Sequence, residues 1–209
     1  MTITIEELIV ADPPEAWAHL GFHVHEALCQ VGSVGIRLAG GDAGRGITGW
    51  SLRELPEGTT SLDGIPTTAS HSAPRPPAEH SNGVIAIDHV VVLSPNLART
   101  VETLAAVGAR PRRERDGVLG GQPIRQVFFR FGEVILEVVG SPETVDEGPA
   151  TLWGITYTVA DIDAAAARFG DLTTPVKDAV QPGRRITTLR HRELGISVRT
   201  ALISPPPPR

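Results

Sequence analysis

The second half of this chain contains the same pattern twice, a strand, a helix and three further strands. The first copy opens with the apolar, β-branched segment VIAIDHVVVL, and NLARTVETLAAVGA follows with apolar residues at helical spacing. The second copy opens with LWGITYTV and DIDAAAARFG. Aligning the helix starts, Asn96 with Asp161, gives an offset of 65 residues (161 − 96). This repeat constrains the fold more than any single motif, because each copy must bury a sheet face against a neighbour.

A third copy is predicted at the N-terminus. ITIEELIV is typical of a strand, and DPPEAWAHLG is typical of a helix with Asp12 as N-cap and Pro13 at its first position. HEALCQ, VGIRLAG and GITGWSLREL are predicted to be the three strands that follow. The sequence therefore predicts an α+β fold of three βαβββ modules, which span residues 3–54, 84–140 and 152–203.

The modules predict a domain organisation. Residues 1–60 hold the first module, which has no partner within the chain, and residues 83–204 hold a domain in which the other two modules pair. Residues 61–82 are predicted to be a linker, because IPTTASHSAPRPPAEHS is rich in Pro, Ser and Thr and has no hydrophobic period. Residues 205–209, within SPPPPR, are predicted to be a disordered, extended tail.

Composition limits the partners and the compartment. The net charge is −5, and the 19 Lys and Arg residues form no long basic block, so neither nucleic acid nor a membrane is an expected partner. Cys29 is the only cysteine, which excludes an intrachain disulfide. The N-terminus lacks the pattern of a signal peptide, and no apolar run approaches the length of a membrane span. The expected location is the cytoplasm.

Three stretches carry a family resemblance: AIDHVVVLSPNL, QVFFRFGEVILEVVG and YTVADIDAAAARFG. They resemble the vicinal oxygen chelate superfamily, which includes glyoxalase I, bleomycin-resistance proteins and extradiol dioxygenases. The resemblance covers residues 84–203 and extends loosely to residues 3–54. It implies paired βαβββ modules that curl into a half-open barrel around a cavity. In metal-dependent members it also implies one ligand, often His, on the first strand of each module and a Glu on the last.

In this family pattern, His89 takes the first-strand ligand position of the second module and Glu137 the last-strand position. A histidine and a carboxylate can hold one divalent ion, such as Zn²⁺, Ni²⁺, Mn²⁺ or Fe²⁺, and Glu137 is then also the candidate catalytic base. In the third module the matching positions are Gly154, from the offset, and Ser197, counted back from the last strand. The ligand set is therefore incomplete. Substitutes would have to come from residues without recognisable ligand spacing: His80, Thr156 and His191.

Other residues are candidates for binding an organic ligand beside His89. In the strand IRQVFFRFG, Gln126 could donate to a carbonyl group and Phe128 could stack on a ring. Thr156 lies on the paired strand. Arg185, after a Pro-Gly turn, could clamp a carboxylate or a phosphate.

Three functions remain open from the sequence. The first is a metal-free protein that binds or sequesters a small molecule between the second and third modules, with a degenerate metal site. The alternative is a metal-dependent lyase, isomerase or dioxygenase that acts on a small oxygenated metabolite. A third is an assembly role with an occluded cavity. The unpaired first module further predicts a homodimer, in which two such modules pair about a two-fold axis.

Overall fold

The computed structural model describes residues 2–207, which form two β-sheets and three α-helices. The first part of the chain contains β1 (Thr4–Val10), α1 (Pro14–His19), β2 (Leu28–Val31), β3 (Val34–Leu38), β4 (Ile47–Arg53), β5 (Ser61–Leu62) and β6 (Ile65–Ser70). The second part contains β7 (Val84–Leu93), α2 (Leu97–Ala106), β8 (Pro111–Leu119), β9 (Gln122–Phe131), β10 (Val134–Gly140), β11 (Thr151–Val159), α3 (Ile162–Phe169), β12 (Lys177–Asp178), β13 (Arg185–Thr188) and β14 (Arg199–Ile203). Short 3₁₀ helices cover Gly41–Ala43 and Gly170–Leu172.

The predicted pairing of the second and third modules is confirmed. Their strands form one curled sheet of eight, in the order β12-β13-β14-β11-β7-β10-β9-β8. The two first strands, β7 and β11, are antiparallel neighbours, with His89 opposite Thr156 and Val91 opposite Gly154. The offset of 65 relates His89 to Gly154 and Val91 to Thr156, so this pairing is the one expected for two copies related by a pseudo-two-fold axis.

The N-terminal sheet is built on the same plan, which the sequence did not reveal. Its six strands run in the order β2-β3-β1-β4-β6-β5. Strand β1 pairs antiparallel with β4 and parallel with β3, and β4 pairs parallel with β6. Strand β4 was predicted to close the first module, but it holds the place that β11 holds in the other sheet. It opens a shortened module without a helix, because only residues 54–60 connect it to β5.

Two expectations from the sequence concern the N-terminal part. One is an unpaired first module, from which a homodimer was predicted, and the other is a linker at residues 61–82. The structure gives β1 a partner in its own chain, so the argument for a homodimer loses its premise. The linker region contains β5 and β6, and its remainder packs on the N-terminal sheet. His80 Nε2 lies 3.1 Å from the carbonyl oxygen of Gln30, and Asn82 Nδ2 donates to the carbonyl oxygen of Leu20. Of the predicted tail, Pro207 lies against Gly183, whereas residues 208–209 are outside the described residues.

The two sheets share one hydrophobic core. Trp50 in β4 stacks on Phe131 in β9 with ring centroids 6.0 Å apart, and Phe22 contacts Tyr157 in β11 at 5.4 Å. The N-terminal sheet and α2 cover the same face of the eight-stranded sheet. The other face carries His89, Thr156, Glu137, Gln126 and Phe128, and we call it the open face. Within residues 2–207, each helix is too short or too polar to cross a membrane.

Cys29 provides a test of this core. It is fully buried in β2, and burial raises the pKa of its thiol to about 12. Because the thiolate is the reactive form, we expect Ellman's reagent to react with the native protein on the order of a thousandfold more slowly than with the unfolded chain. The rates are compared in buffer and in concentrated guanidinium chloride. Similar rates would show that the N-terminal sheet opens readily.

Candidate functional site

A row of polar side chains crosses the middle of the open face. His89 Nε2 in β7 lies 3.7 Å from Oε2 of Glu137 in β10. Gln126 in β9 donates from Nε2 to the other carboxylate oxygen of Glu137. Arg115 in β8 donates from Nε to Oε1 of Gln126 over 2.8 Å. Three residues selected from the sequence are therefore brought into one connected group, with Arg115 as an addition.

A β-bulge extends this row behind His89. The pairing of β7 with β11 shifts by one residue below His89, which leaves Asp88 as the extra residue. Asp88 Oδ2 lies 2.8 Å from Nδ1 of His89, and Asp88 Oδ1 lies 2.6 Å from Nη1 of Arg184. The carboxylate thus orients the imidazole, with Nε2 directed at Glu137. The sequence pattern gave no sign of the bulge, and for this reason Asp88 was not selected.

The charge of Asp88 follows from its surroundings. Burial raises the pKa of this carboxyl, but hydrogen bonds from His89 and Arg184 and their positive charges outweigh burial and lower the pKa below its ordinary value. Asp88 is therefore ionised at neutral pH. The ionised Asp88 accepts a hydrogen bond from Nδ1–H of His89. Nε2 is then the ring nitrogen that is available on the open face.

The remaining sequence-selected residues divide into two groups. Phe128 lies opposite Glu137 in the β9–β10 pairing, and Thr156 lies opposite His89, so both belong to the open face. Arg185 does not join them. It forms an exposed ion pair with Asp163, with Nη2 2.6 Å from Oδ2. Its neighbour Arg184 contacts the row instead, because the turn before β13 directs successive side chains to different sides.

A hollow of about 140 Å³ lies beside this row, along β11 and β14. Its walls include Val91, Trp153, Thr156, Thr188, His191 and Arg199. The Arg199 guanidinium lies over the Trp153 ring, 4.8 Å from its centroid. Burial, followed by the charges of Arg199 and Arg192, lowers the pKa of His191, so this imidazole is neutral at neutral pH. Arg199 was not predicted to be a site residue, although it lies two residues before Ala201 in β14 and therefore on the same face of the strand.

The register corrects one position of the ligand pattern. Glu137 lies opposite Val91, and Ala201 lies opposite Thr156, the residue that corresponds to Val91. Ala201 therefore matches Glu137, and the assignment of Ser197 is wrong. Ser197 precedes β14 and donates from both its backbone N and its Oγ to Oδ1 of Asp12, at 2.8 and 2.6 Å. It joins the two sheets instead of facing the site.

Gly154, the match of His89, has no space for a side chain. A Cβ atom there would lie 2.8 Å from the carbonyl oxygen of Arg199. We expect Gly154→Ala to lower the free energy of unfolding by about 1–3 kcal/mol, because the adjacent strand must shift. Urea denaturation measures this. Gly117→Ala is the control, because its Cβ would meet Ile124 at an ordinary 3.7 Å. Equal effects of the two substitutions would contradict the steric argument.

The residues present do not fit a resident divalent ion. Such sites use about three or four protein donors, and the open face supplies His89 and Glu137, with Gly154 and Ala201 at the matching positions. Glu137 also accepts from Gln126. The suggested substitute His80 lies in the N-terminal part, bonded to Gln30. Among residues 2–207, no three or more His, Cys, Asp and Glu side chains are grouped so that they could hold a metal ion.

Known proteins resemble this chain in structure only. No protein-family model and no curated protein matches its sequence. A triple mutant of 4-hydroxymandelate synthase from Streptomyces coelicolor matches 100% of this chain and 93% of its own, with a TM-score of 0.68 and 17% identity. A xylose isomerase-like TIM barrel/4-hydroxyphenylpyruvate dioxygenase fusion protein matches 100% of this chain and 49% of its own, with a TM-score of 0.59 and 12% identity. Methylmalonyl-CoA epimerase from Mycobacterium tuberculosis matches 62% of this chain and 94% of its own, with a TM-score of 0.48 and 16% identity. The first two confirm the fold expected from the resemblance, over both sheets.

Proposed function

We propose that this protein, which has the vicinal oxygen chelate fold, binds a small anionic organic molecule on its open face without a resident metal ion. The observation that carries the proposal is Gly154: at the position that matches His89, a neighbouring carbonyl oxygen leaves no space for any donor side chain. The family pattern of one ligand on each first strand is therefore incomplete on this sheet, which supports a polar row that is available to an organic ligand.

The charges of the open face favour an anion. Four arginines belong to this face by register: Arg113, Arg115, Arg130 and Arg199. Of the two carboxylates of the row, Asp88 is paired with Arg184, and Glu137, which accepts from the neutral Gln126, is a single negative charge against these four cations. The uncompensated charge is therefore positive. Guanidinium groups recognise carboxylates and phosphates through paired hydrogen bonds.

Aromatic and hydroxyl groups add specificity. Phe128 offers a ring on the open face, with the Arg115 guanidinium 6.0 Å from its centroid. A planar ligand could stack there while its anionic group contacts Arg115. On the other side of the row, Thr156 lines the hollow with Trp153 and Arg199. These residues fit a small oxygenated acid with one apolar or aromatic portion.

A metal-dependent enzyme is the second candidate, and one observation favours it. Metal-ligating histidines commonly donate their second ring nitrogen to a carboxylate, and Asp88 stands in this relation to His89. In that case His89 and Glu137 would be ligands, and further donors would have to be water or substrate. The substrate would be a small oxygenated metabolite, as expected from the sequence.

Metal content and ligand binding separate the two candidates. We expect no stoichiometric metal in untagged protein incubated with Zn²⁺, Ni²⁺, Mn²⁺ or Fe²⁺, desalted and analysed by ICP-MS. Organic acids from a thermal-shift screen should bind, and Arg115→Gln should weaken binding roughly tenfold, because hydrogen bonds to charged groups contribute ~1.5–3 kcal/mol. Arg125→Gln is the matched control, since Arg125 pairs with Asp116 at the surface. Stoichiometric metal that disappears in His89→Ala would establish the metal enzyme instead.

A further inference from the structure

A second opening lies at the far end of the open face, beyond Asp88. This cleft of about 270 Å³ separates the β2–β3 hairpin of the N-terminal sheet from β7, β10 and β11. About half of its lining residues are apolar, among them Val31, Val34, Ile87, Val134 and Ile135. Neither sheet forms it alone, and no residue in it was selected as a ligand-binding candidate from the sequence. We call it the Arg184 cleft.

Arg184 is the buried cation of this cleft, with 8% of its surface exposed. Its Nε donates to the carbonyl oxygen of Ser204 at 2.7 Å, and its Nη1 lies 2.6 Å from Oδ1 of Asp88. Its Nη2 is buried and has no acceptor among residues 2–207. A buried donor without a partner is unfavourable, and native proteins rarely leave one. An acceptor from outside the chain would satisfy it.

The chemistry of that acceptor follows from the neighbouring groups. Asp88 does not accept from Nη2: its Oδ1 lies against Nη1 of Arg184 and its Oδ2 against His89. Arg130, an exposed cation, lines the same cleft, and Ser33 adds a hydroxyl group from the N-terminal hairpin. Glu133 at the β9–β10 turn is the remaining acid in the lining. One guanidinium N–H and a nearby cation among apolar walls match a carboxylate that carries a small hydrocarbon group.

We propose that the Arg184 cleft binds the carboxylate of a small apolar organic acid at Nη2 of Arg184. The two arginines belong to different sites, because Asp88 and His89 lie between Arg184 and Arg115, whereas Arg130 borders both sites. It also explains why a guanidinium is buried at this junction. One of its nitrogens holds the carboxylate that orients His89, a second is fixed to the chain at Ser204, and the third, buried and without an acceptor among residues 2–207, is the one assigned to the ligand.

Isothermal titration with isobutyrate and benzoate tests the proposal, with isobutyramide as the uncharged analogue. Removing Arg184 alone would leave Asp88 unpaired, so the test uses the charge-balanced double variant Asp88→Asn/Arg184→Met. We expect at least one of the acids to bind the wild type with a Kd of about 1 mM and the double variant at least tenfold more weakly. The amide should not bind. Arg185→Gln, at the adjacent exposed arginine, should leave the affinity unchanged.

Circular dichroism of the double variant and titration of Arg115→Gln complete the test. Circular dichroism shows whether the double variant is folded, and if it is not, Arg184→Lys replaces it, with a severalfold weakening expected. Binding that survives the loss of Arg184 but disappears in Arg115→Gln would overturn the proposal and assign the acid to the open face. If neither acid binds the wild type, Nη2 contacts only water and the proposal fails. The function proposed for the open face would be unaffected, because its test depends on Arg115.

Discussion

Trp50→Ala is expected to lower the free energy of unfolding by about 3–5 kcal/mol, because the substitution removes a large side chain from a fully packed position. Trp50 is 1% exposed and stacks on Phe131 of the other sheet at 6.0 Å. Its Nε1 donates to Oγ1 of Thr67 at 2.8 Å, which links β4 to β6. The substitution therefore removes both a contact between the sheets and a contact within the shortened module.

Urea denaturation followed by circular dichroism measures this effect. Trp153→Ala is the matched control, since Trp153 is 39% exposed and we expect its loss to cost at most about 1 kcal/mol. The variant should unfold in one transition, because the two sheets share one core. If Trp50→Ala lowered the free energy of unfolding as little as Trp153→Ala does, the shared core would be contradicted. A separate early transition of the N-terminal sheet would contradict it as well.

The parts of the fold that could be predicted are those specified by local signals. The predicted starts of the two later helices, Asn96 and Asp161, are their N-caps, one residue before each helix begins. Each N-cap side chain accepts hydrogen bonds from the first turn: Asn96 from Arg99, and Asp161 from Asp163 and Ala164. Their spacing gave the offset that the β7–β11 pairing confirms.

The N-terminal helix shows where local signals fail. Asp12 was predicted to cap it, but Pro13 is the N-cap and α1 begins at Pro14. The Asp12 side chain instead accepts from Trp17 Nε1 and from Ser197. The contact with Trp17 lies within the helix that Asp12 precedes, whereas the contact with Ser197, 185 residues away, joins the two sheets. A side chain of α1 and a tertiary hydrogen bond therefore took the carboxylate that the local pattern assigned to the cap.

The shortened module was missed because β5 and β6, which follow β4, have no signal of their own. Strand β6 has the sequence IPTTAS, with a proline and few apolar residues, and was predicted to be part of a linker. It is held by partners remote in sequence: Trp50 lies opposite Thr67 in the pairing with β4. A strand defined by its neighbours cannot be recognised from hydrophobic alternation.

The candidate site was predictable to a similar extent. His89, Glu137 and Gln126 followed from the family pattern and from strand alternation, and the structure connects them. Asp88 and Arg184 could not be found in this way, because one lies in a β-bulge and the other in a turn. Their contact depends on the register of β7 with β11 and on the path of the chain after α3, neither of which is encoded locally.

Asp88→Ala is expected to lower the free energy of unfolding by about 3–5 kcal/mol at neutral pH, since it removes one partner of a buried ion pair and leaves the Arg184 guanidinium uncompensated. Both side chains are 9% exposed, and Nη1 lies 2.6 Å from Oδ1. The His89 ring would lose its Nδ1 acceptor as well. Asp163→Ala removes an equally short but exposed ion pair with Arg185 and is the control, for which we expect no measurable change.

The pH dependence separates the charge of Asp88 from its packing. Because the folded-state pKa of Asp88 lies below its ordinary value of 3.8, the ionised carboxylate contributes stability that is complete well above pH 3.8. That contribution is lost as the pH falls through the lowered pKa, where the folded protein takes up the proton. The difference between wild type and Asp88→Ala in urea denaturation should therefore be constant near neutral pH and decrease in acid. A difference that stays the same below pH 3.8 would assign the effect to the lost side-chain volume, and the pair with Arg184 would then contribute no net charge stabilisation.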